Sequence, residues 1–180
     1  MKVVVSVGAS GSGKSTYLQK NYPTYACICP DDIRKQLTGD VNNQSKNVLV
    51  WKVAYTALNT SCKNGVDVVV SATNLTWKGL KELLSYVENA ECEILLFKDS
   101  ENWQLCRDRV AEDIKNGVDR SNTVNVRVGD SYLIQAMSEK YKILKSGIVN
   151  KQFPIFDFPF SVHYYEIDSE GNKRELCENI

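Results

Sequence analysis

A chain of 180 residues with 22 basic and 22 acidic side chains has no formal net charge, so any contact with nucleic acid would have to be a local patch and not a field of the whole protein. Its apolar fraction of 43% and its length suit one globular domain with its own core. Six cysteines without a CxxC pair and one histidine argue against a zinc site. Without a long apolar stretch or a leader pattern, the chain is expected in the reducing cytoplasm and not in a membrane.

Apolar runs alternate with helical patterns along the chain. Strands are predicted at 2–7, 25–29, 66–72, 92–97 and 161–167. Helices are predicted at 14–21, from 31 onward, and at 44–64, 76–89, 102–115 and 129–146. The polar segment 116–128 is predicted to be a mobile loop. The alternation favours an α/β fold in which helices cover both faces of a parallel sheet.

Several cysteine, aromatic and apolar residues are expected to pack in the fold and not to form a site. They are Cys27, Cys29, Trp51, Tyr55, Leu58, Cys92 and His163. The alternative for Trp51 and Tyr55, which share a helix face, is a platform on which a nucleobase stacks.

The segment "GASGSGKST" follows the first strand and opens the first helix. It fits the pattern G-x-x-x-x-G-K-[ST], and that context predicts a phosphate-binding loop. Glycines let backbone N–H groups converge on an anion, and the helix N-terminus adds unpaired donors. Lys14 is predicted to reach the β- and γ-phosphates of ATP, and the Ser15 hydroxyl to ligate Mg²⁺. The predicted nucleotide-binding residues of the loop are Gly8, Ala9, Ser10, Gly11, Ser12, Gly13, Lys14, Ser15 and Thr16.

A second motif, "CPDDIRKQLTGD", begins where the second strand ends. Asp31 therefore emerges at the carboxyl edge of the sheet, where open α/β sheets bind ligands, and is positioned to accept a proton from an acceptor hydroxyl. Arg34, one turn further, is positioned to hold an acceptor phosphate. The alternative is a helix start with two capping acids and a surface arginine.

Four segments, "GASGSGKST", "PDDIRKQLTGD", "VVVSATNLT" and "CRDRVAEDIKNGVDR", occur in the order seen in polynucleotide-kinase-like P-loop kinases, which residues 1–145 resemble. The resemblance implies an adenylate-kinase type of fold with a five-stranded parallel sheet. A kinase domain would span 1–150 with a lid at about 116–128, and a tail at 151–180 would pack its last strand on the same domain.

The resemblance also assigns roles to single residues. Asp31 resembles the general base, and Arg34 the contact to the 3′-phosphate of the acceptor. Thr73 and Asn74 resemble residues near the phosphates. Arg109 resembles the first lid arginine, which grips the phosphates of ATP and adds to the catalytic set of Lys14, Asp31 and Arg34.

Two positions depart from the family pattern. The usual acid before "TN" is replaced by Ser71 and Ala72. Either Asp31, through water, or Asp32 takes that role toward Mg²⁺, or the metal affinity falls, or the enzyme is weak. Where the second lid arginine is expected the chain has Asp113, and either Arg120 or Arg127 is left to supply that charge.

The resemblance implies an ATP- and Mg²⁺-dependent kinase that phosphorylates a hydroxyl of a nucleic acid, with DNA favoured over RNA. The hydroxyl would be a 5′-OH or that of a hydroxymethylated base such as 5-hydroxymethyluracil. The location would be the host cytoplasm if the chain is phage-encoded. The alternatives are a kinase for a nucleoside, nucleotide or sugar acid, and an ATP-binding switch protein with little transferase activity.

Overall fold

The computed structural model describes residues 1–152 and 158–178, so residues 153–157 and 179–180 of the predicted tail lie outside the described part. The central sheet has six strands in the order β2-β3-β1-β4-β7-β8. The strand bounds are Lys2–Val7 for β1, Ala26–Ile28 for β2, Val68–Val70 for β3, Glu91–Phe97 for β4, Val162–Ile167 for β7 and Lys173–Glu178 for β8. A separate two-stranded hairpin contains β5 (Arg127–Val128) and β6 (Ser131–Tyr132).

The predicted α/β fold is confirmed, but the predicted strand number is wrong by one. Strands β2, β3, β1, β4 and β7 run parallel, and β8 adds an antiparallel sixth strand at the edge beside β7. The turn before β8 is built by Asp168, whose Oδ1 accepts the backbone N–H groups of Glu170 and Asn172 at 2.9 Å each. The charged sequence "NKRELCEN" does not predict a strand, because an edge strand can form without an apolar run.

Six α-helices flank the sheet in the described part of the chain. Their bounds are Lys14–Asn21 for α1, Pro30–Thr38 for α2, Asn47–Lys63 for α3, Trp77–Leu84 for α4, Trp103–Lys115 for α5 and Leu133–Val149 for α6. Helix α4 begins after Thr76, whose Oγ1 accepts the Gly79 N–H at 3.2 Å as an N-cap. It ends earlier than the predicted 89, and α6 starts later than the predicted 129 because the β5–β6 hairpin precedes it.

Alternating valines in β1 divide the core between the two faces of the sheet. Val3, Val5 and Val7 pack with buried residues of α3, α4 and α6, while Val4 packs with Leu18 of α1. Cys92 is buried as expected, but Cys27 is exposed. The prediction for Cys27 is wrong because β2 lies at the edge of the sheet.

Both faces of the sheet are thus covered, and the loops at the carboxyl ends of its parallel strands are left to form a site. Over residues 1–152 and 158–178, the helices are all too short or too polar to span a bilayer.

Candidate active site

The phosphate loop is fixed to the two strands that neighbour β1. The Gly8 N–H donates to the Thr73 carbonyl oxygen at 3.0 Å, just beyond β3. The Ala9 N–H donates to the Ser100 Oγ at 3.0 Å, just beyond β4, and Ser100 is fully buried. The loop is therefore held from both sides before any ligand binds, which lowers the ordering cost of binding.

Two glycines of this loop are required for different reasons. Gly11 has φ +82°, and a Cβ there would come within 2.1 Å of the Cys106 carbonyl oxygen in α5. Gly13 has φ +89° with open space around it, so only its left-handed backbone favours glycine. Gly11 thus brings α5 against the loop, and Gly13 turns the chain into α1.

Lys14 is the first residue of α1 and lies against the loop that precedes it. Its Nζ donates to the carbonyl oxygens of Gly8 at 2.9 Å and Ala9 at 2.6 Å. Burial lowers the pKa of Lys14 to about 8; the charge of Arg120 also lowers it, and that of Asp31 opposes the shift. The Lys14 ammonium is thus held against the loop by backbone carbonyl oxygens.

This pKa predicts how nucleotide affinity depends on pH. Phosphate binding favours the ammonium form, so binding should take up a proton once the pH exceeds the Lys14 pKa of about 8. The affinity for ATP is expected to fall about tenfold for each pH unit above that value. Calorimetry at pH 8 and 9.5 in buffers of different ionisation enthalpy measures the uptake. Lys14→Arg should abolish the uptake, and equal affinity at both pH values would contradict the prediction.

The end of β3 is hydrogen-bonded to β1. Asn74 is buried, and its Nδ2 donates to the Ser6 carbonyl oxygen at 2.9 Å, while the Ala72 N–H donates to the Ser6 Oγ at 3.3 Å. In the described ranges, no cluster of three or more His, Cys, Asp or Glu side chains has metal-binding geometry. The Ser15 hydroxyl, exposed at the start of α1, remains the side-chain ligand that a phosphate-bound Mg²⁺ would use.

Asp31 and Arg34 lie in the first turns of α2 and pair with each other. The Arg34 Nη1 donates to the Asp31 Oδ1, and the Arg34 Nη2 donates to the Asn47 Oδ1 at 3.0 Å. The side chain of Arg34 is 6% exposed, whereas that of Asp31 is 50% exposed. Arg34 therefore holds the carboxylate from inside the fold. The alternative that Arg34 is a surface arginine is wrong, because its side chain is buried.

Segment 119–122 lies across α2. The Ser121 Oγ donates to the Asp31 Oδ2 at 3.2 Å, the Lys35 Nζ pairs with Asp119, and the Asn122 N–H donates to the Asn42 Oδ1 at 2.8 Å. We refer to residues 119–122 as the docked loop. The docked loop belongs to the predicted lid 116–128, and its Ser121 side chain contacts the half-exposed carboxylate of Asp31.

Arg109 lies on α5 beside the phosphate loop. Its Nη1 donates to the Asp99 Oδ2 at 2.6 Å and to the Gly11 carbonyl oxygen at 3.3 Å. Asp99 is 10% exposed and also accepts the Ser169 hydroxyl at 2.5 Å. Asp99 thus fixes Arg109 against the backbone of the phosphate loop.

The structure separates the two candidates for a second lid arginine. Arg120 pairs with Asp113, the residue at the position where the family has an arginine, and its charge acts on Lys14. Arg127 stacks on the Tyr132 ring at 4.5 Å and donates to the Asp130 carbonyl oxygen at 3.1 Å. Lys14 and Arg109 therefore contact the phosphate loop directly, whereas Arg120 contacts α5 through Asp113.

We expect Arg120→Ala to weaken ATP binding at least about tenfold, because the predicted lid would lose the arginine that is paired with α5 through Asp113. Arg127→Ala is the matched control and should change the affinity less than about twofold, since its guanidinium is committed to Tyr132. Titration with a fluorescent ATP analogue measures both variants. Equal losses in the two variants, or a loss in Arg127→Ala alone, would contradict the assignment.

Other predicted residues lie in the fold and away from this site. Leu58 is buried, and Trp51 and Tyr55 pack against the core, with the Tyr55 ring stacked on that of Tyr86 at 4.6 Å. His163 lies on β7, with Nδ1 3.6 Å from the Glu175 Oε1. These positions agree with the packing interpretations.

Sequence reasoning missed Asp99, Ser100 and Ser121. Asp99 and Ser100 immediately follow β4, and polar residues at the carboxyl end of a buried strand are a usable signal. Ser121 carried no such signal, because it lies in a loop without periodicity.

The sequence matches the model of a protein family described as an AAA domain over residues 3–132, which is more than half of the chain. No sequence among the curated proteins matches the chain. A chain of the Pnkp1/Rnl/Hen1 RNA repair complex is similar, with 20% identity and a TM-score of 0.63, over 84% of this chain and 46% of that one.

Two further solved structures share the fold. A chain of the AvrRxo1-ORF1:-ORF2 complex with ATP has 10% identity and a TM-score of 0.66, over 99% of this chain and 58% of that one. A Chloroflexus aurantiacus J-10-fl protein described as a candidate kinase has 10% identity and a TM-score of 0.51, over 78% and 77%. The chain thus spans about half the length of the first two relatives.

The expected resemblance to P-loop kinases is confirmed at the level of the domain. The family match covers the phosphate loop, α2 and α5, and the neighbours share the parallel sheet around them. The chain therefore belongs to the family described as an AAA domain, and its fold is that of a P-loop kinase-like domain.

Proposed function

We propose that the chain is an ATP-dependent kinase that transfers the γ-phosphate to a hydroxyl of a nucleic acid. The observation that carries the proposal is the half-exposed carboxylate of Asp31, which Arg34 holds at the sheet edge that also bears the phosphate loop. A carboxylate so placed can take the proton of an attacking hydroxyl.

The donor side of the site fits the phosphates of ATP. Lys14 and Arg109 contact the backbone of the phosphate loop, and Arg120 reaches α5 through Asp113. Within residues 1–152 and 158–178, Lys14 forms no salt bridge. Ser15 would hold Mg²⁺, which supplies charge neutralisation on the phosphate oxygens when bound. Ser71 and Ala72 stand where the family has an acid that supports Mg²⁺. We propose that Asp31 supports the ion through water instead.

The acceptor side is formed by α2 and the docked loop. We propose that Arg34 acts first by holding the Asp31 carboxylate in its orientation, because its guanidinium is buried against Asp31 and Asn47. The 3′-phosphate contact expected from the family stays a prediction for Arg34. A 5′-hydroxyl of DNA or the hydroxymethyl group of a modified base would approach Asp31 on the side where the docked loop lies.

The test is transfer of labelled γ-phosphate from ATP to a panel of acceptors. The panel contains 5′-hydroxyl DNA, 5′-hydroxyl RNA, DNA with hydroxymethyluracil, nucleosides, nucleotides and sugar acids. We expect DNA to be labelled faster than the small acceptors. Labelling of a small acceptor alone would overturn the nucleic-acid assignment while retaining the kinase.

A second candidate is a kinase for a small molecule, and the docked loop favours it. Its contacts with Lys35, Asp31 and Asn42 place the loop beside the half-exposed Asp31 carboxylate, an arrangement that suits a small hydroxyl compound better than a polymer. Zero net charge also provides no general attraction for a polyanion.

Salt dependence separates these two candidates. Binding of a nucleic acid releases counterions, so the acceptor KM should rise steeply as salt increases from 50 to 200 mM. The KM of a small acceptor should change little over the same range. The KM of ATP serves as the internal control in each titration.

A further inference from the structure

The carboxylate proposed to activate the acceptor already binds a hydroxyl of the chain itself. The Asp31 Oδ2 accepts the hydrogen bond from the Ser121 Oγ at 3.2 Å, while the Oδ1 is paired with Arg34. The oxygen left free by Arg34 is the one that would receive an acceptor proton. Ser121 therefore stands in the position of a substrate hydroxyl relative to this carboxylate.

Independent contacts hold Ser121 in this place. On one side of it, Asp119 pairs with Lys35 and Arg120 pairs with Asp113. On the other side, the Asn122 N–H donates to the Asn42 Oδ1 at 2.8 Å. The hydroxyl is thus held at Asp31 by anchors on both flanks, which removes much of the entropy cost of bringing a nucleophile to a base.

The donor side lies next to the same serine. Arg120 directly precedes Ser121 and pairs with Asp113 of α5, and Arg109 of the same helix donates to the Gly11 carbonyl oxygen of the phosphate loop at 3.3 Å. Helix α5 thus links the docked loop, which contains Ser121, to the phosphate loop that would bind the γ-phosphate.

We propose that Ser121 is an autophosphorylation site, at which the chain transfers the γ-phosphate of ATP to its own Ser121 Oγ. The inference rests on the proposed kinase function. A bond forms between the Ser121 Oγ and the γ-phosphorus, and the bond from that phosphorus to the β,γ-bridging oxygen breaks. ADP leaves with the electron pair of that bond, and the hydroxyl proton passes to Asp31 and then to solvent.

The experiment incubates the full chain with ATP and Mg²⁺ and analyses it by intact-protein and peptide mass spectrometry. We expect a gain of about 80 Da, the mass of one phosphoryl group, located on Ser121. The rate per chain should not change on tenfold dilution, because the transfer is intramolecular. Asp31→Asn should slow incorporation about a hundredfold.

Two substitutions test the position and its matched neighbour. Ser121→Ala should remove the phosphate. Thr123→Val, two residues further in the same loop, should retain it, since the buried Thr123 Oγ1 has no hydrogen-bond partner among the described residues. Phosphate on another residue, or incorporation at full rate in Asp31→Asn, would overturn the inference.

A measurement without nucleotide tests the placement of the loop by itself. The Asn122 amide should exchange slowly with solvent hydrogen in the free protein, and Asn42→Ala should speed its exchange, because the acceptor at 2.8 Å is removed. Fast exchange in the unsubstituted protein would overturn the placement on which the inference depends.

The outcomes distinguish this inference from the proposed function. Labelled Ser121 with no labelled external acceptor retains the inference and overturns the nucleic-acid kinase. Labelled acceptors with an unmodified Ser121 retain the kinase and overturn the inference, leaving Ser121 as a group that only occupies the acceptor position. When both occur, an added acceptor should slow Ser121 labelling, since the two hydroxyls compete for Asp31.

Discussion

Phosphoryl transfer is expected to fall at least about a hundredfold when Lys14 is replaced by alanine, because the β,γ-phosphate charge loses its fixed partner. In the structure the Lys14 Nζ is hydrogen-bonded to the carbonyl oxygens of Gly8 and Ala9 in the loop. The substitution therefore removes a prearranged charge and not a mobile surface group. The affinity for ATP should fall together with turnover.

Stability separates this effect from unfolding. Burial lowers the pKa of Lys14 to about 8, so at neutral pH the folded protein bears the cost of a desolvated ammonium. Lys14→Ala should therefore unfold at the same temperature as the unsubstituted protein or at a higher one. Lys20→Ala is the matched control, since Lys20 is exposed in the last turn of the same helix. Turnover near the unsubstituted rate in Lys14→Ala would refute the role of the loop.

Asp31→Asn is expected to lower kcat by about two to four orders of magnitude while the acceptor KM changes little. The amide oxygen can still accept from Arg34, so the geometry of α2 is kept, but the group no longer takes a proton. Asp32→Asn is the matched control, because Asp32 is the adjacent acid and is exposed. Steady-state kinetics on the best acceptor measures both variants.

The companion substitution Arg34→Ala tests how Asp31 is held. If the buried guanidinium orients Asp31, kcat should fall on every acceptor, including those without a phosphate. If it binds an acceptor phosphate, KM should rise only for acceptors that have one. A full kcat in Asp31→Asn would leave Asp31 as a helix-capping acid and make Asp32 the next candidate base.

The local parts of the site could be predicted because their chemistry is contained in a few consecutive residues. The glycines and Lys14 need only a strand before them and a helix after them, and "PDDIR" needs only the end of β2. The supports from Ser100 and Asp99 could not be predicted, because they depend on β4 lying next to β1 in the sheet. No pattern in a single chain gives that strand order directly.

Long-range pairing also explains the remaining errors. Arg120 and Arg127 are equivalent in sequence, and only the contact of Arg120 with Asp113 and the stacking of Arg127 on Tyr132 separate them. Cys27 has apolar neighbours in sequence, yet the position of β2 at the sheet edge exposes it. Strand β8 could not be predicted, because its own residues lack a strand pattern and it is held in the sheet by pairing with β7.

The place of β7 in the sheet has a consequence for how the chain is made on the ribosome. Strand β4 pairs with β7 along Cys92–Phe97, and this partner is synthesised only after α5, the docked loop and α6. Until then β4 is an apolar open edge, the kind of surface that pairs with other chains. The nascent protein is thus open to misassociation until late in its synthesis, although its phosphate loop is made early. Pairing of β4 with residues 162–167 closes that edge.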